Sequence, residues 1–296
     1  MTAVAVPPPM GRGDERMTSE REETKYLVSA ERLDALAAEL TRRLPSHRFT
    51  GEGANGLPGP HHFVTTIYFD TPSRRLFRTA VDDFEHNVKI RAKEYYDLHP
   101  SLAELATDHV QIVRYQRWLW FELKRRDGTH TSKRRFRLRK HEVPAFFKYG
   151  RRTPDSIVPP PPVPPPLGDE PLAAGFDEEL EEIVAYCQSL DEPLAAACLV
   201  NYRRLSWQSE DAHLRVTVDL GLTFYAPPTD LWTREHALVR STLGPPRGGE
   251  RRAVLEIKRH DALPNWLDAA LGSAGVQPMP FSKFESASRE VAGVHG

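Results

Sequence analysis

Two segments of the chain repeat the same pair of chemically useful side chains. Glu122 precedes Lys124 by two residues, and Glu256 precedes Lys258 by the same spacing. Because side chains at i and i+2 of a β-strand lie on one face, each pair places a carboxylate beside an ammonium group. Such a pair either neutralises itself as an ion pair or offers one group to a metal ion and the other to an anion.

Positive charge follows the same two-residue period in the neighbouring segments. The alternating cations there are Lys89, Arg91, Lys93, Arg135, Arg137 and Arg139. One alternating strand is typical of a half-buried sheet with a solvated face. Five strands that carry Lys or Arg on the polar face favour a different arrangement, because so many like charges on adjacent strands repel each other unless an anion joins them.

We therefore expect an antiparallel β-barrel with apolar side chains facing outward and charged side chains facing a water-filled lumen. A linear polyanion suits such a lumen, since its phosphate oxygens accept charge-assisted hydrogen bonds from Arg and Lys along its length. Phosphoryl transfer would require Mg²⁺ or Mn²⁺ to share the developing charge. Glu256 and Glu122 are the carboxylates that we assign to the metal.

The elements that must position these side chains can be read from hydrophobic periodicity. Residues 31–44 and 176–190 predict helices, and residues 281–291 predict a closing helix. Alternation predicts strands around residues 23–28, 63–70, 88–93, 121–124, 135–139, 214–220 and 253–258. Proline and glycine in residues 1–19 predict a disordered tail, and a proline-rich insertion is predicted at about residues 152–171.

Charge is segregated along the chain although the formal net charge is only −1. Residues 111–140 contain eleven Lys and Arg against two acids, whereas residues 165–192 contain nine acids and no base. The first region suits a polyanionic ligand. The 296 residues and 40% hydrophobic content are sufficient for a substantial core.

Cysteine use and hydropathy predict a cytoplasmic protein. Cys187 and Cys198 lie in or beside an apolar stretch, and nothing upstream resembles a signal peptide. No run of about 18 apolar residues occurs, so we predict no membrane span, and any link to a membrane would come from a partner protein. Trp118 and Trp120 lie among arginines, but their alternation favours a buried face, and we expect no nucleic-acid partner.

Nine short motifs occur in the order that is typical of one known family. They are residues 21–26 (REETKY), 68–72 (YFDTP), 89–91 (KIR), 121–124 (FELK), 133–137 (KRRFR), 202–204 (YRR), 215–219 (RVTVD), 255–258 (LEIK) and 282–284 (SKF). Together they resemble the VTC catalytic domain of the triphosphate tunnel metalloenzymes. The resemblance spans residues 20–291 and implies a single α+β domain, an eight-stranded antiparallel β-barrel tunnel with a charged lumen, flanked by helices.

The resemblance implies an activity, a cofactor and a set of site residues. The activity is polymerisation of inorganic polyphosphate from the terminal phosphoryl group of ATP, with Mn²⁺ or Mg²⁺. The implied catalytic residues are Lys89, Arg91, Lys124, Arg203 and Lys258. The implied phosphate-binding residues are Lys25, Lys133, Arg135, Arg215 and Lys283. Glu256 would hold the metal ion.

Two other functions stay open at this point. A hydrolase of the same fold would cleave a triphosphate with water, although Arg21, four residues before Lys25, replaces an acid of the hydrolase pattern and favours the polymerase. A polyphosphate-binding module without catalysis would show salt-sensitive binding and no metal-dependent turnover.

Overall fold

The computed structural model describes residues 22–46, 62–96, 118–128, 130–149, 177–234 and 237–293. Within these ranges the chain forms strands and α-helices, which confirms the predicted α+β class. The strands are β1 (Glu22–Val28), β2 (His62–Asp70), β3 (His86–Tyr96), β4 (Trp118–Asp127), β5 (His130–Arg139), β6 (Ala195–Gln208), β7 (Leu214–Tyr225), β8 (Gly248–Glu250) and β9 (Ala253–Arg259). The helices are α1 (Ala30–Arg43), α2 (Arg75–Asp82), α3 (Val143–Tyr149), α4 (Asp177–Gln188), α5 (Asn265–Ser273) and α6 (Lys283–Ala292).

The predicted tail at residues 1–19 and the predicted proline-rich insertion at about residues 152–171 lie outside the described residues. Among the described helices, none is both long enough and apolar enough to cross a membrane.

One antiparallel sheet joins all of the strands. Its order is β1-β9-β7-β6-β2-β3-β4-β5, and the short β8 pairs with β7 off this path. The sheet is strongly curled. Oε2 of Glu23 on β1 lies 3.4 Å from Nζ of Lys124 on β4, although β1 and β4 are separated by six steps in the strand order. In a flat sheet six steps of about 4.8 Å would separate these strands by roughly 29 Å. We call the side on which Glu23 and Lys124 meet the concave face, and the other side the convex face.

The prediction of a closed eight-stranded barrel is not confirmed. In the part of the chain that the structure describes, no backbone ladder joins β1 to β5. The free edge of β1 is instead covered by a later segment, since the backbone N–H of Met279 donates to the carbonyl of Lys25 at 2.8 Å and Tyr26 forms a bridge with Pro278. Side chains, and not backbone hydrogen bonds, therefore connect the two sides of the curled sheet.

Apolar side chains on the convex face bind the helices to the sheet. Leu36 and Leu40 are one turn apart on α1 and are buried with Leu267 and Leu271 of α5 against β1, β7 and β9. Under α3, Phe121 lies 5.5 Å from Phe136 and 5.1 Å from Phe146, measured between ring centroids. This burial supplies most of the favourable free energy of folding, because the concave face is occupied by charges.

Helix α6 lies against the opposite side of the sheet. The ring of Phe284 is 5.2 Å from that of Tyr68, whose cross-strand partner Arg91 belongs to the concave face. Ser282 caps the helix, since its hydroxyl accepts a hydrogen bond from the backbone N–H of Glu285. Nζ of Lys89 donates a hydrogen bond to the same hydroxyl at 2.9 Å, so the first turn of α6 contacts the concave face.

Asp70 joins the end of β2 to the start of α2. Its carboxylate is buried and accepts hydrogen bonds from the backbone N–H groups of Thr71, Leu76 and Phe77 at 2.8–2.9 Å.

We expect Asp70→Ala to lower the free energy of unfolding by about 3 kcal/mol, because it leaves buried donors unsatisfied. Urea denaturation measures this. Asp82→Ala, an exposed site in the last turn of α2, is the matched control, and equal effects of the two substitutions would contradict the anchoring role.

Candidate functional site

The concave face collects cationic side chains from most of the sheet. Among the described residues they include Lys25, Lys89, Arg91, Lys93, Lys124, Lys133, Arg135, Arg204, Arg215, Lys258 and, from α6, Lys283. The carboxylates facing them include Glu23, Glu122, Asp219, Glu256 and, from α6, Glu285. Cations thus outnumber carboxylates about two to one on this face, and the excess positive charge favours a polyanion.

Glu122 is the centre of one cationic cluster. Its carboxylate is fully buried, 2.7 Å from Nε of Arg91 and 3.4 Å from Nζ of Lys93. Burial alone would raise the pKa of Glu122, but Lys93 and Arg91, with Lys133 and Arg135, hold that pKa well below its usual range. Glu122 therefore remains ionised and fixes the orientation of the cations around it.

Glu23 connects lysines from three strands. Its oxygens lie 3.2 Å from Nζ of Lys25 on β1, 3.4 Å from Nζ of Lys124 on β4 and 3.7 Å from Nζ of Lys258 on β9. Lys258 also lies 2.8 Å from Glu256. Glu23 was not predicted as a site residue, although its position two residues before Lys25 already placed both on one face of β1.

Asp219 anchors the third cluster. Its carboxylate is fully buried and accepts two hydrogen bonds from Arg204, at 2.6 and 2.7 Å, while Nζ of Lys283 lies 2.7 Å away. Burial favours the neutral acid, yet Arg204 and Lys283 lower the pKa of Asp219 below its ordinary value. Helix α6 is in this way tied to β6 and β7 by charge.

The structure corrects one predicted position. Arg204 occupies the place on the concave face that was predicted for Arg203. Arg203 pairs with Phe63 on the convex side of the sheet. A signal for this was present in the sequence, because Leu205 and Trp207 share the parity of Arg203 and both pack in the convex core.

The other predicted site residues lie on the concave face or at its α6 end. They are Lys89, Arg91, Lys124, Lys258, Lys25, Lys133, Arg135, Arg215, Lys283, Glu256 and Glu122. Glu23, Arg204 and Asp219 were not predicted as site residues, and Lys93 was predicted only as an alternating cation without a specific role. A family model described as the VTC domain matches residues 20–291.

The chain belongs to the VTC domain family. Membership assigns it the triphosphate tunnel fold, in agreement with the resemblance seen in the sequence motifs. No match is found among curated protein sequences. Among solved structures, a candidate adenylate cyclase from Bacillus halodurans is similar at 13% identity with a TM-score of 0.44, over 89% of this chain and 96% of that one. This likeness is too distant to bear on function.

A divalent metal ion, which the tunnel fold implies, fits one place on this VTC domain better than the others. Glu23 and Glu256 lie on the adjacent strands β1 and β9. Burial and the charge of Glu256 act to raise the pKa of Glu23, but the lysines around Glu23 hold that pKa well below its usual range. The described residues contain no cluster of three or more metal-ligand side chains. Two carboxylates nevertheless suit Mg²⁺ or Mn²⁺, since these ions take their remaining ligands from phosphates and water. Glu122 is fully buried with Nε of Arg91 2.7 Å from its carboxylate, whereas Glu23 and Glu256 are only partly buried, so Glu122 is less suited to the ligand role predicted for it.

Several lysines of the VTC domain are poised between their charged and neutral forms. The pKa of Lys124 is lowered to about 7, and those of Lys89 and Lys93 are lowered to about 8. Burial is the main cause in each case, and neighbouring cations such as Lys25 beside Lys124 and Arg91 beside Lys93 add to it. A bound anion would raise these pKa values and complete the protonation of the lysines.

We therefore expect Lys124 to take up a proton when tripolyphosphate binds near pH 8. Isothermal titration calorimetry in two buffers of different ionisation enthalpy measures the number of protons exchanged. Lys124→Arg is the matched variant, because arginine is already charged and the titration of the ligand is common to both proteins. Affinity of the wild type should strengthen, relative to this variant, as the pH falls from 9 to 7. Equal proton exchange by the two proteins would contradict the lowered pKa of Lys124.

Proposed function

We propose that this VTC domain is a polyphosphate polymerase, which transfers the terminal phosphoryl group of ATP to a growing inorganic polyphosphate chain. The observation that carries the proposal is the convergence of cations from β1, β3, β4, β5, β6, β7, β9 and α6 on one concave face. A row of phosphates is the ligand whose charge and spacing match such a surface. ATP and polyphosphate are accordingly the proposed partners.

In this mechanism the cations bind, align and neutralise the phosphates. Arg91 and Arg204 are held rigidly by Glu122 and Asp219, so their remaining N–H groups are oriented before the ligand arrives. Lys124 and Lys258 lie 2.8–3.7 Å from carboxylates and can turn toward phosphate oxygens. Alignment of two phosphate groups for an in-line transfer supplies much of the rate enhancement without a nucleophilic side chain.

Glu23 and Glu256 would hold the divalent metal ion. When bound, Mn²⁺ or Mg²⁺ supplies positive charge to the phosphate oxygens on which negative charge develops. Lys258, which lies near both carboxylates, would give up these contacts in favour of the phosphate chain. Helix α6 is held against the face by Lys283 beside Asp219 and by Glu285 beside Lys89, so Lys283 is positioned to contribute to phosphate binding.

A triphosphatase of the same fold is the second candidate. The observation that favours it is the pair of adjacent carboxylates, Glu23 and Glu256, because two acids on neighbouring strands could serve a metal ion and an attacking water molecule. The two functions differ only in the acceptor, which is a phosphate chain in one case and water in the other. The predicted cytoplasmic location and the predicted lack of a nucleic-acid partner stay predictions.

One incubation distinguishes these functions. Purified protein is mixed with ATP and Mn²⁺, and polyphosphate, ADP and orthophosphate are quantified together. A ladder of long chains with equivalent ADP supports the polymerase, and orthophosphate without chains supports the triphosphatase. Binding of polyphosphate without turnover of ATP would indicate a polyphosphate-binding module without catalysis.

Substitutions on the two faces of the sheet test which residues act. We expect Lys258→Ala and Glu256→Ala each to lower kcat/KM by about 30- to 1,000-fold, equivalent to roughly 2–4 kcal/mol of transition-state stabilisation. Arg203→Ala is the control, because its side chain lies on the convex face, and its activity should stay within about twofold of wild type. Full turnover by Lys258→Ala or Glu256→Ala, in protein with an unchanged circular dichroism spectrum, would contradict the assignment.

A further inference from the structure

Two neighbouring hydroxyl groups lie buried in the floor of the concave face. Ser206 on β6 and Thr217 on β7 are direct cross-strand partners. Ser206 is fully buried and Thr217 is 4% exposed. Within the described part of the chain, neither hydroxyl oxygen has a hydrogen-bond partner.

Strand alternation places both hydroxyls on the concave face. Leu205 and Trp207 flank Ser206, Val216 and Val218 flank Thr217, and all four of these neighbours pack in the convex core. Thr217 is in turn the cross-strand partner of Glu256. The two hydroxyls thus extend the row that begins with Lys25 and Glu256 on β1 and β9.

Cationic side chains flank the pair on both strands. Arg204 precedes Ser206 by two residues, and Arg215 precedes Thr217 by two residues, so all four side chains share one face. Nε of Arg215 donates to Gln208 at 2.6 Å, and Lys258 is held by Glu256 at 2.8 Å. A phosphate group that bound Arg215 and Lys258 would replace the Arg215–Gln208 and Lys258–Glu256 contacts. Its oxygens could then approach the two hydroxyls.

Buried hydroxyl groups in proteins are almost always hydrogen-bonded, because an unsatisfied donor loses its hydration without compensation. Two adjacent exceptions beside the proposed metal carboxylate therefore call for a ligand. A hydroxyl is also a neutral donor, so it can approach a phosphate oxygen without adding to the repulsion among the cations of this face.

We propose that Ser206 and Thr217 form a neutral phosphate-binding subsite, in which both hydroxyls donate hydrogen bonds to an oxygen of the bound triphosphate or polyphosphate. This inference rests on the proposed polyanion-binding function but not on which acceptor, phosphate or water, completes the reaction. The subsite positions one phosphate group next to Glu256 and adds no charge.

The test is tripolyphosphate binding by calorimetry, without metal, across a series of salt concentrations. Thr217→Val and Ser206→Ala each remove one hydroxyl with little change of shape, and we expect each to weaken binding about 5- to 20-fold. The slope of log affinity against log salt should stay as in wild type, because no charge is removed. Thr217→Ser, which retains the hydroxyl, should restore most of the affinity.

Thermal unfolding of the free proteins separates this role from a structural one. If the hydroxyls serve the ligand, Thr217→Val should leave the Tm of the free protein unchanged or higher, since an unsatisfied polar atom has been removed. Thr24→Val, the same substitution on β1 but on the opposite face, is the control and should bind like wild type.

Three results would overturn the inference. In two of them wild type binds tripolyphosphate and both Ser206→Ala and Thr217→Val retain its affinity, with the Tm of the free protein unchanged in the first case and lowered in the second. The first result would show that the ligand does not reach the hydroxyls, and the second would assign them to internal packing. In the third, wild type itself does not bind tripolyphosphate, so the proposed function fails together with the subsite.

Discussion

Like-charge repulsion across the concave face is the constraint on which the rest of this structure depends. Glu23 and Asp219 each hold cations from more than one element, and Glu122 holds Arg91 and Lys93 of β3. Without these carboxylates the lysines and arginines could not be brought so close together. A buried ion pair adds little net stability, because desolvation offsets most of its Coulomb energy. The carboxylates therefore specify the geometry of the site more than they stabilise the fold.

Stability comes from the other side of the sheet. The convex face packs α1 and α5 through leucines and α3 through clustered phenylalanines, and this apolar burial offsets the unfavourable free energy of the charged face. The division is a consequence of strand alternation, which allows one sheet to have an apolar side and a charged side. A sheet built in this way can retain strained electrostatics at its functional face while the fold remains stable.

The incomplete neutralisation of the site has a functional consequence. Lysines with lowered pKa values, and hydroxyls that have no partner among the described residues, are unfavourable in the free protein. In the proposed function both would gain partners from phosphate oxygens. The fold thus holds these groups in place before the ligand arrives, and their interactions with phosphate oxygens would contribute to the free energy of binding. For the same reason we infer the proposed ligand from the excess of cations on this face and not from the net charge of −1.

The sequence by itself predicted seven of the nine described strands and the side chains that alternate along them, but not β6 or β8, and it predicted a polyanion as the matching ligand. It also identified most of the cations of the site, because the period of two is a local property of the chain, visible in pairs such as Glu256 and Lys258. It failed at Arg204, where two adjacent arginines made the parity ambiguous until Leu205 and Trp207 were seen to pack in the core. Only the tertiary structure decided that Glu23 meets Lys124 and that Ser206 meets Thr217 near Glu256, because strand order and sheet curvature depend on contacts between residues far apart in the chain.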